Sequence, residues 1–363
     1  PKKSASDTSI ATMPPWIPKG SRTPSSSIPT LRTRLATTAT LAAVPANGQA
    51  PPRTPWGAPD LQGVWDFRTI TPMERPRDLA DQEFLTAEEA ASRNQAAEGR
   101  AVDLASRPSR RTQVDPSGNV DRGEDGAPGS YNNFWFDRGL SVISTNRTSL
   151  VTDPPDGRIP PLTPDAQGRR DALAEARKDT GPHEPTPGGW VEDLGLNGLQ
   201  ARCITGFNSG PPMTPGGYNN NMQLFQTPDT VVIFNEMNHN TRVIPLGGGS
   251  HVDLRFWAGD SRGRWVDDTL VVETKNFLRE TSFMRGGSTG DLELVERFTR
   301  QSDHVLLYEV TVNDPSSWSR PWTYEVPMQA NPDPIFEYAC HEGNYGMETI
   351  LVGARQREAA AGR

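Results

Sequence analysis

Glutamates standing in apolar rows are the feature of this sequence that most directly suggests chemistry. In LELVERFTR, strand alternation sets Leu292, Leu294, Glu296 and Phe298 on one face, with Glu293, Val295, Arg297 and Thr299 on the other. Glu236 shares a row with Val232 and Phe234, Glu309 with Val305 and Leu307, and Glu273 follows Val271 and Val272. A carboxylate among apolar neighbours is costly unless it is paired or protonated. Two readings follow. One is an ion pair with Arg242, Arg285 or Arg297 that ties strands together. The other is a polar site inside the sheet, where a carboxyl group does general acid work.

Histidine is the usual partner in such chemistry, and there are five. His183 falls in a Pro-rich loop and His304 in a turn, both solvated positions. His239 lies in NEMNHNTR beside a hairpin turn, and His251 follows the triple glycine Gly247–Gly249. His341 lies in EYACHEGNYG next to Glu342, close to Asn344 and Tyr345, a polar and aromatic density that suits a pocket mouth. The catalytic candidates are therefore His341, His239, Glu296 and Glu236. Tyr345, Asn344, Arg242, Trp257 and Trp322 are the side chains to hold a small organic or saccharide ligand, the aromatic ones by stacking. For a divalent metal, the one cofactor this composition admits, the ligands would be His239, His251, His341 and Glu342. No HExxH, paired CxxC, GxSxG or SxxK motif is present, and no other cofactor is evident. The Gly247–Gly249 run joins two strands with no helix after it, so it is not a phosphate cradle.

These side chains need a scaffold, and the pattern after Met222 supplies one. MQLFQ, TVVIFNEM, TRVIPL, VDLRFWAG, TLVVETKNF, LELVERFTR, HVLLYEVTV and WTYEVPM follow one another across the turns TPD, GGG, DSRG, VDD and QSD. Strands at short, even spacing with no helix between them describe an antiparallel meander. Open edges are costly, so the expectation is a mainly β fold closed as a lipocalin-like barrel, or else a sandwich. Before it, PDLQGVWDF (Pro59–Phe67) opens the ordered region as a strand. Thr86–Ser106 reads as a helix with Thr86 as its N-cap, and a second helix starts at Pro164 and runs to about Lys178. Between these helices, Leu140–Ser144 and Ser149–Thr152 read as short strands. The organisation is a single domain over residues 59–355, with a helical, loop-rich insertion at about 70–220 and a disordered tail from 356.

Composition narrows the function classes. The 363 residues include 34 Pro and 33 Gly, which belong in loops, and the net charge of −8 argues against nucleic acid. No apolar run approaches the ~20 residues of a membrane span. Residues 1–58 carry basic side chains (Lys2, Lys3, Lys19, Arg22, Arg32, Arg34) and then a weakly apolar stretch, Leu35–Ala50, the layout of a secretory signal. A periplasmic or secreted location follows, where the two cysteines, Cys203 and Cys340, suit a disulfide, the alternative being two buried free thiols.

From Pro59 to about Arg355 the chain resembles an uncharacterised family of exported bacterial proteins. The resemblance is carried by GVWDF, DPPDGRIPPLTP, GDSRGRWVDDTLVVET, ERFTR and EYACHEGNYG. It implies export and brings no activity with it. Three functions are in contention: an exported hydrolase, lyase or isomerase using His and Glu in a barrel pocket, a non-catalytic lipocalin-like carrier of a small apolar ligand, and a structural or surface-assembly protein, which the polar residues on apolar strand faces disfavour.

Overall fold

In the computed structural model, the described residues are 52–79, 81–106, 136–176, 178, 196–281, 283 and 290–362. The expected leader falls almost wholly outside them, as do His183, Arg285 and the loop after Ser106. Contacts divide the chain after Gly48, and every described residue belongs to the second unit, Gln49–Arg363.

Ten strands form one antiparallel sheet. They are β1 (Gly63–Asp66), β2 (Val151–Asp153), β3 (Asn221–Gln226), β4 (Thr230–Asn235), β5 (Thr241–Pro245), β6 (Asp260–Val266), β7 (Thr269–Lys275), β8 (Glu293–Arg300), β9 (Val305–Asn313) and β10 (Trp322–Asn331). The order across the sheet is β5-β4-β3-β1-β10-β9-β8-β7-β6, with β2 paired to β10. Alternation dictates which residues go in. Along β9 the buried row is Leu306, Tyr308, Val310 and Val312, and matching rows on its neighbours merge into one apolar core.

The expected closed barrel is not formed. Eight antiparallel steps along a nine-strand path leave β5 and β6 pointing the same way, so no antiparallel ladder can join them. A single parallel bridge, Leu246 to Gly263, spans that seam. Gly263 leaves the space: a Cβ there would lie 2.7 Å from Leu246 Cδ2. The sheet is nevertheless strongly curled. β5 and β8 are six steps apart on the path, about 29 Å if the sheet were flat, yet Arg242 of β5 and Glu296 of β8 are in contact.

One strand differs from the sequence expectation. VDLRFWAG is irregular, and DSRGRWV, which reads as a turn, is β6. Gly259 admits the chain to β6 at φ +66, where a Cβ would meet the Lys275 carbonyl oxygen at 2.7 Å. Asp267, at φ +52, then turns β6 tightly into β7. Leu140–Ser144 forms no strand either.

The helices are α1 (Ala87–Ser106), α2 (Pro164–Ala176), α3 (Leu196–Ala201) and α4 (Tyr345–Ala360). A capping box starts α1: the Glu89 N–H donates to Thr86 Oγ1 at 3.2 Å, and the Thr86 N–H donates to Glu89 Oε2 at 2.8 Å. Because α4 runs to Ala360, most of the expected tail is helical. Among the described residues no helix is long and apolar enough to cross a membrane.

These backbone demands are measurable. Gly259→Ala should cost about 1–3 kcal/mol. Gly168→Ala, inside α2 with open space at its Cβ, should gain roughly 0.5–1 kcal/mol. Urea midpoints of the two variants moving in the same direction would contradict this account of the β6 entry.

Candidate functional site

Glu296 has no exposed surface, and its two oxygens receive four donors. Arg242 forks onto it, with Nη1 bonded to Oε2 and Nη2 2.9 Å from Oε1. The Tyr308 hydroxyl donates to Oε1 at 2.7 Å, and the Thr274 hydroxyl lies 3.4 Å from Oε2. Behind Thr274 stands Ser261, with its hydroxyl 2.9 Å away. A segment between α3 and β3 covers this network from the end of the sheet. Met213 donates its N–H to Tyr308 Oη at 3.1 Å and accepts the Tyr324 hydroxyl on its carbonyl at 2.7 Å. Burial alone would lower the Arg242 guanidinium, but the Glu296 carboxylate more than reverses this and leaves it raised. Burial first, and then Glu296, push the phenols of Tyr308 and Tyr324 well above their ordinary value.

A carboxylate holds about four lone-pair positions, so Glu296 has none left to take a substrate proton. Of the two sequence readings of this residue, the geometry is that of the ion pair with Arg242. Arg297 pairs with Glu309 at 3.2 Å and Arg264 with Glu273 at 2.6 Å.

The other candidates do not converge. Glu236 is buried and accepts Asn221 Nδ2 at 2.9 Å, and Asn221 in turn accepts Asn331 Nδ2 at 3.0 Å. His239 stacks on Phe234, ring centroids 5.4 Å apart, and its Nε2 accepts the Tyr338 N–H at 2.7 Å. It pins the C-terminal segment to the β4–β5 turn. His341, Glu342 and Tyr345 are exposed, Tyr345 at 73 %. Asn344 caps α4 by accepting the Met347 N–H at 3.2 Å, and its Nδ2 donates to the Ala201 carbonyl at 2.9 Å. Beside it Cys203 and Cys340 form a disulfide. EYACHEGNYG is therefore a clasp rather than a pocket mouth. Trp322 is fully buried among Trp318, Phe283 and Tyr324, and Trp257 is half-buried with its carbonyl taken by Thr281. Among the described residues no three His, Cys, Asp or Glu side chains are grouped to hold a metal, so His239, His251, His341 and Glu342 stay apart.

His251 does have an orienting partner. Its Nδ1 lies 3.0 Å from Asp260 Oδ2, which also accepts the Val252 N–H at 3.0 Å, while Arg262 holds Oδ1 at 2.8 Å. Because a carboxylate only accepts, the neutral ring would carry its proton on Nδ1 and leave a lone pair on Nε2, the arrangement of a carboxylate-oriented base. Asp260 was hidden in the sequence by the turn-like DSRG.

A second place is a partly open concavity beside α1. Among the described residues a cavity of about 270 Å³ lies between α1 and the wall formed by the segments after β1 and before β2. Ile70, Pro72, Leu79, Leu85 and Val142 supply apolar lining. From α1, Ala96 and Ala97 face it between Arg93 and Arg100. Those arginines are seven residues apart, so they share one helix face about 10.5 Å apart along the axis. Asn94 docks the helix by accepting the Val142 N–H at 2.9 Å.

Arg147 completes the lining. Its Nη2 pairs with Glu83 Oε1 at 2.9 Å, and its guanidinium covers the Phe84 ring at 5.1 Å. It also faces Glu325, whose carboxyl burial raises and Arg147 draws back. Three guanidinium groups and no carboxylate line the cavity. The i, i+7 spacing of Arg93 and Arg100 on a legible helix was the available sequence signal, whereas Arg147 arrives by tertiary folding alone.

No protein-family model, curated protein or solved structure matches the chain.

Removing one partner of the buried pair, by Arg242→Met or Glu296→Gln, should cost about 3–5 kcal/mol, and the Arg242→Met/Glu296→Leu double variant should recover much of it. Urea midpoints at the wild-type value in both single variants would show that the tie is not structural. The raised phenols set an alkaline limit. Their contribution is complete below the unfolded tyrosine pKa of about 10 and is lost as pH rises through the folded values. Tyrosinate absorbance should therefore show Tyr308 and Tyr324 ionising only as the fold is lost, and Tyr308→Phe should remove one of these two late steps.

Proposed function

We propose that this chain is an exported, non-catalytic binding protein that takes a small, partly apolar organic molecule into the cavity beside α1. The observation that carries this reading is the cavity itself, a partly open concavity lined by apolar and polar side chains in near-equal measure. At about 270 Å³ it is slightly below the range of about 300–1,000 Å³ typical of ligand pockets, which favours a compact ligand. The carrier of the sequence reading would hold its ligand within the sheet. There, however, Met213, Trp322, Tyr308 and Tyr324 fill the space, and the site moves outside. Export is supported by the basic and weakly apolar leader, by the resemblance of motifs such as GVWDF and DPPDGRIPPLTP to those of an exported bacterial family, and by the Cys203–Cys340 disulfide, which suits an oxidising compartment.

An acid–base enzyme is the second reading, favoured by the Asp260-held His251 alone. Its reaction would be hydrolysis, elimination or isomerisation at the β5–β6 seam, with His251 Nε2 as the base.

Fluorescence titration with the neutral apolar probe N-phenyl-1-naphthylamine tests the binding reading. Saturable, stoichiometric enhancement is expected, and Ala97→Trp, which fills the cavity from α1, should weaken it at least tenfold while urea unfolding stays cooperative. Undiminished enhancement in that variant would place the probe elsewhere, for example on the exposed Phe225 and Val243, and would end the reading.

A further inference from the structure

We infer that the C-terminal segment, residues 332–362, is a strap latched by oxidation. Joining Cys203 to Cys340 docks it, and reducing that bond frees it from a sheet that stays folded. The inference is independent of the α1 cavity and of any ligand. Its first support is the backbone at Cys203. The Ile204 N–H donates to the Leu199 carbonyl at 2.9 Å, and the Cys203 N–H donates to the Gln200 carbonyl at 3.0 Å. This pair of bonds ends α3 in a Schellman motif, with Cys203 as its left-handed residue at φ +56. Glycine takes that conformation freely, whereas a side chain does so only under strain. What cysteine adds at this position is its sulfur.

The second support is how lightly the strap is otherwise held. From Pro332 to Thr349 no residue is buried, and in α4 only Ile350 and Ala354 are. Its polar ties reach two places on the body. Tyr338 donates its N–H to His239 Nε2 at 2.7 Å beside the β4–β5 turn. At α3, Asn344 Nδ2 donates to the Ala201 carbonyl at 2.9 Å, and Gln200 Nε2 donates to the Tyr338 hydroxyl at 3.4 Å. Ordering about thirty residues costs more conformational entropy than two buried apolar side chains and a few hydrogen bonds offset. The covalent bond reverses this balance by holding the strap at high effective concentration. With only 16 residues, α4 is close to the length of about 12–15 below which an isolated helix is marginal, so it melts on release. The core of the sheet lies elsewhere, between the strands and the aromatic side chains they enclose. Closure is an exchange with a small disulfide such as glutathione disulfide. One protein thiolate attacks a sulfur of the oxidant and expels one glutathione thiolate. The other protein thiolate then attacks the mixed disulfide and expels the second. The protein loses two electrons to the oxidant, and the two thiol protons end on the two glutathione molecules.

Hydrogen–deuterium exchange of the full chain, read by peptide mass spectrometry, tests the latch. Cys203→Gly/Cys340→Ser removes the bond and relieves the left-handed backbone. In this variant, and in the wild-type chain under dithiothreitol, peptides covering residues 332–362 should exchange roughly tenfold faster or more. Peptides of β8, β9 and β10 should keep their protection, and near-ultraviolet circular dichroism should keep the signal of the buried Trp65 and Trp322. Glutathione disulfide should restore protection of the strap in the reduced wild-type chain and leave the double variant unchanged. Full protection of α4 in the double variant would show that noncovalent contacts hold the strap, and the latch would be overturned. Faster exchange throughout, with the near-ultraviolet signal lost, would overturn it in the opposite way, making the disulfide a support of the whole fold.

Discussion

The Arg242–Glu296 pair is the constraint on which the rest of the structure depends. Two charges removed from water cost several kcal/mol each, and their attraction offsets this only when every remaining donor and acceptor is satisfied. For the carboxylate that condition is met by residues from β5, β7 and β9, backed by Ser261 of β6, Tyr324 of β10 and the covering segment at Met213. An apolar pair would fill the same volume. What the ions add is a geometric demand, because a forked guanidinium accepts only one placement of its carboxylate. The seam between β5 and β6 has a single bridge to hold it, so the register of the curled sheet is set from the inside.

The consequence for function is a division of the molecule. With its centre filled by a satisfied polar network and large aromatic side chains, the sheet serves as a rigid support. The candidate sites lie in the segments laid against its outside. The α1 cavity uses the insertion between β1 and β3, and the Asp260–His251 pair uses the long β5–β6 connection, which the strand parity makes necessary.

Much of this was legible in the sequence, for reasons particular to each residue. Thr86 and Glu89 have the spacing of a capping box, and α1 begins there. The alternation in LELVERFTR identified the buried row, and Glu296 in it pointed to a cationic partner, with Arg242 among those named; in HVLLYEVTV the row of Glu309 is the less buried one. β6 was not legible. Its DSRG start carries turn residues, yet Asp260 is spent on His251 and Arg262, and Gly263 is small because the strand passes under Leu246. VDLRFWAG has the residue types of a strand, but its backbone goes elsewhere: Phe256 bonds to Asn276, and the Val252 carbonyl accepts the Asn276 side chain. EYACHEGNYG misled in another way. Histidine, asparagine and tyrosine crowd together at a cap beside a disulfide just as they do at an active site, and only geometry separates the two.

The position of β1 has a consequence in time. It lies between β3 and β10, with Gly63 opposite Leu224 and Val64 opposite Asn331. Without it, the β3–β5 unit and the β6–β10 meander are two sheets with open edges. One edge of β1 can pair as soon as β3 (Asn221–Gln226) has been made, but the other must wait for β10, and the loops it closes are long. Such contacts of high sequence separation form slowly and leave edges exposed in the interval. The join between the β3–β5 unit and the β6–β10 meander thus waits on β10, although one of its two seams can form earlier.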